Sequence, residues 1–153
     1  MQIDFGGGSE ISFERKGKAG LVRLTRTSAL NALTHKMILA LDRALQAWES
    51  DDDVAVVIVE GEGRAFCAGG DVVAAYKAGQ EGTPAFDFFR DEYRLNARIG
   101  RFPKPYVSLL NGIVMGGGAG ISFHGSPRIV TENTLFAMPE TGIGFFPDVG
   151  GSA

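Results

Sequence analysis

A unit that occurs twice limits the folds open to this chain. The run Val54-Ala-Val-Val-Ile-Val59, apolar throughout and rich in β-branched residues, leads into a glycine-rich loop over residues 60–71, and helical sequence resumes at Val72. The strand-like residues 106–115 likewise lead into Gly116-Gly117-Gly118 and a small, apolar segment over 119–123. Apolar runs without polar alternation belong to strands buried on both faces, which is the pattern of a parallel sheet covered by helices. The expected fold class is therefore α/β. Glycine permits close approach to the main chain, so an amide at Gly70 or a neighbour and another at Gly117 could be aimed at one substrate oxygen, forming an oxyanion hole. If a helix starts at the triplet, its free N–H groups and positive end add to that pull. The competing explanation is a turn that only lets helix pack on strand.

The rest of the chain alternates in the same manner. Residues 11–13 and 20–25 read as two strands of a hairpin broken at Lys16-Gly-Lys18. Thr34 is an N-cap candidate for a helix running to Trp48, with Met37, Ile38, Leu41, Leu45 and Trp48 on one face. A further helix spans residues 83–98, where Phe86, Phe89, Tyr93 and Asn96 recur at helical spacing and Lys104-Pro105 closes the element. From spacing alone, its Asp87, Asp91 and Glu92 are solvated surface charges. Residues 128–130 and 135–138 read as two short strands around a turn.

With 153 residues, 44% of them hydrophobic, the chain has the size of one globular domain with a real core. Lys+Arg 15 against Asp+Glu 18 gives a net charge of -3 without a basic run, which argues against nucleic acid as a partner. Cys67 is the sole cysteine; it precludes an internal disulfide, fits a reducing compartment and reads as a small packed residue rather than a nucleophile. No apolar run is long enough to span a bilayer, and Met1-Gln-Ile-Asp-Phe-Gly-Gly-Gly8 lacks the pattern of a signal peptide, so a cytoplasmic location of bacterial type is expected and no membrane partner. His35 and His124 are isolated, so no metal site is expected.

Two acids stand apart from the surface charges. Glu140 follows Pro139 amid Met138, Ile143, Phe145 and Phe146, and Asp148 lies between Pro147 and Val149-Gly-Gly151. Carboxylates in apolar, glycine-rich loops suit acid or base work, although each could equally cap a helix start.

Asn31-Ala-Leu33, Ala65-Phe-Cys-Ala-Gly-Gly-Asp71, Asn111-Gly-X-X-Met-Gly-Gly-Gly118 and Pro139-Glu140 with Gly144 and Gly150-Gly151, in this order, resemble the enoyl-CoA hydratase/isomerase, or crotonase, superfamily. The resemblance covers nearly the whole chain and leans toward the acyl-CoA thioester hydrolases within it. It implies a spiral of repeated β-β-α units, with residues 1–153 as the N-terminal portion of a longer chain and the C-terminal helical part absent. Alone, such a portion is expected to expose apolar surface and to have little activity. The resemblance further implies an acyl-CoA substrate, no cofactor beyond the coenzyme A of that substrate, and a homo-oligomer, trimeric or hexameric, or association with the remaining C-terminal part.

By similarity, Gly70 and Gly117 form the oxyanion hole and Glu140 and Asp148 are catalytic. Glu92, Ala68, Ala29, Leu30 and Asp71 contact substrate. Hydratases of the superfamily carry a second glutamate shortly after the glycine triplet, where this chain has Gly120. The implied reaction is therefore hydrolysis of a short branched 3-hydroxyacyl-CoA, 3-hydroxyisobutyryl-CoA foremost, a step of valine catabolism. Glu140 would serve as nucleophile or as general base. Enoyl-CoA hydration or isomerisation, and a non-catalytic acyl-CoA-binding role, are the alternatives.

Overall fold

The computed structural model describes residues 1–82 and 85–151. Strands β1 (Gln2–Ile3), β2 (Ile11–Lys16) and β3 (Ala19–Leu24) form an antiparallel opening, with the hairpin turn at Gly17-Lys18. Helix α1 (His35–Glu49) crosses to β4 (Val56–Gly61), which pairs in parallel with β3. The Thr34 side chain accepts a hydrogen bond from the Met37 amide at 3.2 Å, as an N-cap should. The predicted stripe of α1 is buried, and Trp48 lies flat on β3 because Gly20 has no Cβ, which would fall 2.7 Å from the indole ring.

From β4 onward each turn of the chain adds one strand to each of two sheets. β4 continues into β5 (Ala65–Cys67), and α2 (Val72–Gln80) and α3 (Phe86–Arg101) lead to β6 (Tyr106–Leu110). β6 continues into β7 (Ile113–Met115), the short α4 (Gly117–Gly120) follows, and β8 (Arg128–Val130) and β9 (Leu135–Ala137) close the series. One sheet has the order β1-β2-β3-β4-β6-β8 and the other β5-β7-β9, with every pair from β3 onward parallel. The start predicted at Thr83 for α3 lies outside the described residues.

Two expectations change here. Residues 106–115 are two strands in different sheets, not one strand. Asn111 and Gly112 turn the chain between them, with Gly112 at φ 88 and no room for a side chain, since a Cβ would sit 2.1 Å from the Arg64 carbonyl oxygen. The loop over residues 60–71 likewise contains a strand, β5, whose three residues are all buried. The pair 128–130 and 135–137 are strands as predicted, and they join β6 and β7 respectively. Their outer faces are apolar and open: Ile129, Val130, Leu135 and Phe136 are exposed.

Candidate active site

The spiral places the two glycine loops side by side, because β5 and β7, the strands that feed them, are parallel neighbours. The loop after β5 is fixed by a bridge to Leu33, whose amide donates to the Gly69 carbonyl at 2.7 Å and whose carbonyl accepts from the Asp71 amide at 2.9 Å. Arg26 grips both sides of this bridge, donating to the Ala32 carbonyl at 3.1 Å and to Asp71 Oδ2 at 2.8 Å. With residues 69 and 71 held, the Gly70 amide between them is left over. Among the described residues, neither the Gly70 amide nor the Gly117 amide donates to any protein group. Asn31 supports the same loop from within, donating from Nδ2 to the carbonyls of Glu62 and Ala65 at 2.9 Å each.

The three glycines of the triplet each lack a side chain for a distinct reason. A Cβ at Gly117 would lie 3.0 Å from Glu92 Oε2 and 3.1 Å from the Gly70 nitrogen, so the carboxyl and the second amide flank one point. At Gly116, where φ is 50, it would lie 2.7 Å from Glu140 Oε1, and at Gly118 it would strike the Cys67 carbonyl oxygen at 2.3 Å. Since α4 is a single turn, its dipole is small, and individual N–H groups are the donors on offer.

A cavity of about 650 Å³ opens over these amides. Of the predicted residues, Gly70, Gly117, Glu140, Asp148, Glu92, Ala68 and Asp71 all line it. Ala29 and Leu30 do not; they sit on the adjoining loop, attached to the site through the Ala68 amide, which donates to the Leu30 carbonyl at 3.0 Å. Asp71 lines the wall with its carboxylate already engaged by Arg26 and by the Ala74 amide at the start of α2. Burial pushes its pKa up, but those donors outweigh it and hold the carboxyl below the usual range.

Glu92 is only 2% exposed, not a solvated charge on a helix surface. It faces inward from α3 with Leu95, Asn96 and Ile99, and burial, with the negative charge of Asp148, pushes its pKa up to about 8. Glu140 is 8% exposed and opens a short 3-10 turn over Glu140–Ile143, with Oε2 buried and without a hydrogen-bond partner among the described residues. Asp148 accepts a 2.6 Å hydrogen bond from the Tyr93 hydroxyl. Burial, followed by that bond, raises the pKa of Tyr93 and so keeps the hydroxyl a donor.

Sequence reasoning gave no site role to Tyr93 or to the aromatic wall of Phe88, Phe89 and Phe145, in which Phe89 and Phe145 stack at 5.7 Å. The available signal was the aromatic clustering on either side of the two acids. Cys67 is buried beneath the site and its thiol is pushed up to about 12 by burial, so it is packed and unreactive.

Paired parallel sheets whose glycine-rich ends meet under a carboxylate-lined cavity define the crotonase class of α/β fold. The sequence matches a family model described as "Enoyl-CoA hydratase/isomerase" over residues 19–153, and the chain belongs to that family. It is 56% identical over 146 residues to "3-hydroxyisobutyryl-CoA hydrolase, mitochondrial" of Danio rerio, a match covering 94% of this chain and 38% of that protein. The Homo sapiens protein of the same name is 51% identical, with 93% and 37% covered. The crystal structure of a carnitinyl-CoA dehydratase from Mycobacterium thermoresistibile superimposes with a TM-score of 0.92 at 52% identity, covering 95% of this chain and 43% of that one.

The chain thus spans less than half the length of each of these three proteins. The expected cytoplasmic, bacterial-type location is overturned by the Danio rerio and Homo sapiens hydrolases, whose names place them in mitochondria. That expectation rested on residues 1–8, and a stretch matching two-fifths of a relative does not report on its targeting.

Proposed function

We propose that the whole protein hydrolyses a short branched 3-hydroxyacyl-CoA thioester, with 3-hydroxyisobutyryl-CoA the preferred substrate, releasing the 3-hydroxy acid and CoA in valine breakdown. The observation that supports this reading is the pair of unengaged amides, Gly70 and Gly117, on neighbouring loops, where a Gly117 Cβ would lie 3.1 Å from the Gly70 nitrogen, with the Glu140 carboxylate beside Gly116. The thioester oxygen accepts from both amides, each worth about 3 kcal/mol of transition-state stabilisation. Glu140 then either attacks the carbonyl carbon, expelling the CoA thiolate and leaving an anhydride that water cleaves to the 3-hydroxy acid and the free Glu140 carboxylate, or takes a proton from a water whose oxygen attacks that carbon and expels the thiolate. Asp148, steadied by Tyr93, orients the 3-hydroxyl. A site built to pair a hydroxyl rejects analogues that lack one.

The dehydratase name of one neighbour raises the question of addition or loss of water at a double bond. Local packing weighs against it. A side chain at Gly120, where hydratases of the superfamily carry their second acid, would meet Val149 Cβ at 2.8 Å and Asn96 Nδ2 at 3.0 Å. The open apolar faces of β8 and β9, with Ile143 and Phe146, are assigned to contact with the remainder of the protein or with further copies of it.

The test offers the full-length protein a panel of acyl-CoA thioesters and follows free thiol beside enoyl absorbance. Thiol release fastest with 3-hydroxyisobutyryl-CoA is expected. Loss of crotonyl-CoA absorbance without thiol release would establish a hydratase instead, and turnover unaffected by Glu140→Gln would remove Glu140 from the mechanism.

A further inference from the structure

Glu92 sits where a negative charge would oppose the chemistry just described. Its Oε2 lies 3.0 Å from the position a Gly117 Cβ would take, a position 3.1 Å from the Gly70 nitrogen, which puts it at the edge of the space in front of the two loops where the proposed thioester oxygen would gather charge. A carboxylate there would repel that oxygen, whereas a carboxylic acid would donate to it. The surroundings favour the acid. Asp148 and Glu140 share the cavity, the Cys67 thiol lies below on β5 and the Tyr93 hydroxyl is next along α3, and among the described residues no ion pair reaches Glu92. The charge that bears on it, that of Asp148, is negative.

We infer that Glu92 works as a neutral carboxylic acid, donating its O–H to the thioester oxygen as a third hydrogen bond beside the amides of Gly70 and Gly117. The inference rests on the hydrolase reading for its substrate but not for the protonation state of the residue. Burial against these neighbours, which pushes the Glu92 pKa up to about 8, agrees with it. A role in binding the substrate through a carboxylate would need the opposite charge state at neutral pH.

Two measurements on the full-length protein test this. The first is kcat/KM for thiol release against pH, corrected for spontaneous hydrolysis. Wild type is expected to lose about tenfold between pH 7 and 9, as a donor with that pKa ionises. Glu92→Gln, which keeps a neutral donor at every pH, is expected to stay within about tenfold of wild type at pH 7 and to lack this alkaline decline, while Glu92→Leu falls about 100-fold. Glu92→Gln falling as far as Glu92→Leu, or retaining the alkaline decline, overturns the inference.

The second measurement is infrared absorption of the wild-type protein, in which a protonated carboxyl band present at pH 7 is expected to fade toward pH 9 and to be missing from Glu92→Gln. Absence of such a band at pH 7 overturns the inference even if the protein turns over thioesters. A wild type that releases thiol from no acyl-CoA sinks the hydrolase reading, and the band still decides the state of Glu92.

Discussion

Replacing Gly117 by alanine separates catalysis from folding more cleanly than any other single change. The residue opens α4 at a negative φ, so alanine meets no backbone strain, and its Cβ would lie 3.0 Å from Glu92 Oε2 and 3.1 Å from the Gly70 nitrogen. Those contacts are tight by a few tenths of an ångström, and the better helix propensity of alanine, up to about 1 kcal/mol, offsets them. The net change in stability is expected to stay within about 1 kcal/mol. The methyl group nevertheless occupies the space beside both amides, and loss of an aligned oxyanion donor costs about 100- to 1,000-fold in kcat. Gly118→Ala is the control. Its Cβ would strike the Cys67 carbonyl at 2.3 Å, so the backbone must move, at about 1–3 kcal/mol or more. Thermal melting and thiol release on both variants read the two effects apart. Gly117→Ala retaining near wild-type kcat would refute the reasoning about Gly70 and Gly117.

Further outcomes follow from the same geometry. Gly120→Glu, which installs the acid that hydratases carry, is expected to lower the melting temperature through its collision with Val149 and Asn96 and to gain no crotonyl-CoA hydration. Glu92 also makes stability depend on pH. Its folded pKa of about 8 lies above the ordinary 4.5, so the stability it contributes is fully present below about pH 4.5 and is lost as pH rises through about 8. Denaturant unfolding of Glu92→Gln at pH 8.5 is therefore expected to show a gain over wild type on the order of 4 kcal/mol, which vanishes near pH 4.

The parts of the molecule legible from the chain are those whose signal is local. Thr34 and the stripe from Met37 to Trp48 mark α1 because cap and periodicity lie within one element. The run ending at Val59 shows β4 because a strand buried on both faces has no polar positions. β5 stayed hidden since three residues between glycines carry no period, and β6 and β7 merged because the break at Gly112 is enforced by Arg64, nearly fifty residues earlier.

The site was legible as motifs but not as electrostatics. Gly70, Gly117, Glu140 and Asp148 stand out in the sequence through their glycine-rich and apolar settings, and they line one cavity. Glu92 looks like any exposed helical carboxylate in sequence, because what buries it comes from α4 and from the loop at Asp148. The bond from Tyr93 to Asp148 joins residues 55 positions apart and leaves no trace in spacing.

A structure of the full-length protein with a non-hydrolysable analogue of 3-hydroxyisobutyryl-CoA bears most directly on the central claim. The carbonyl oxygen of the analogue is expected about 2.7–3.1 Å from the amide nitrogens of both Gly70 and Gly117, with the Glu140 carboxylate over the carbonyl carbon. A carbonyl oxygen bound away from either amide, or on the far side of the cavity from Glu140, would contradict it.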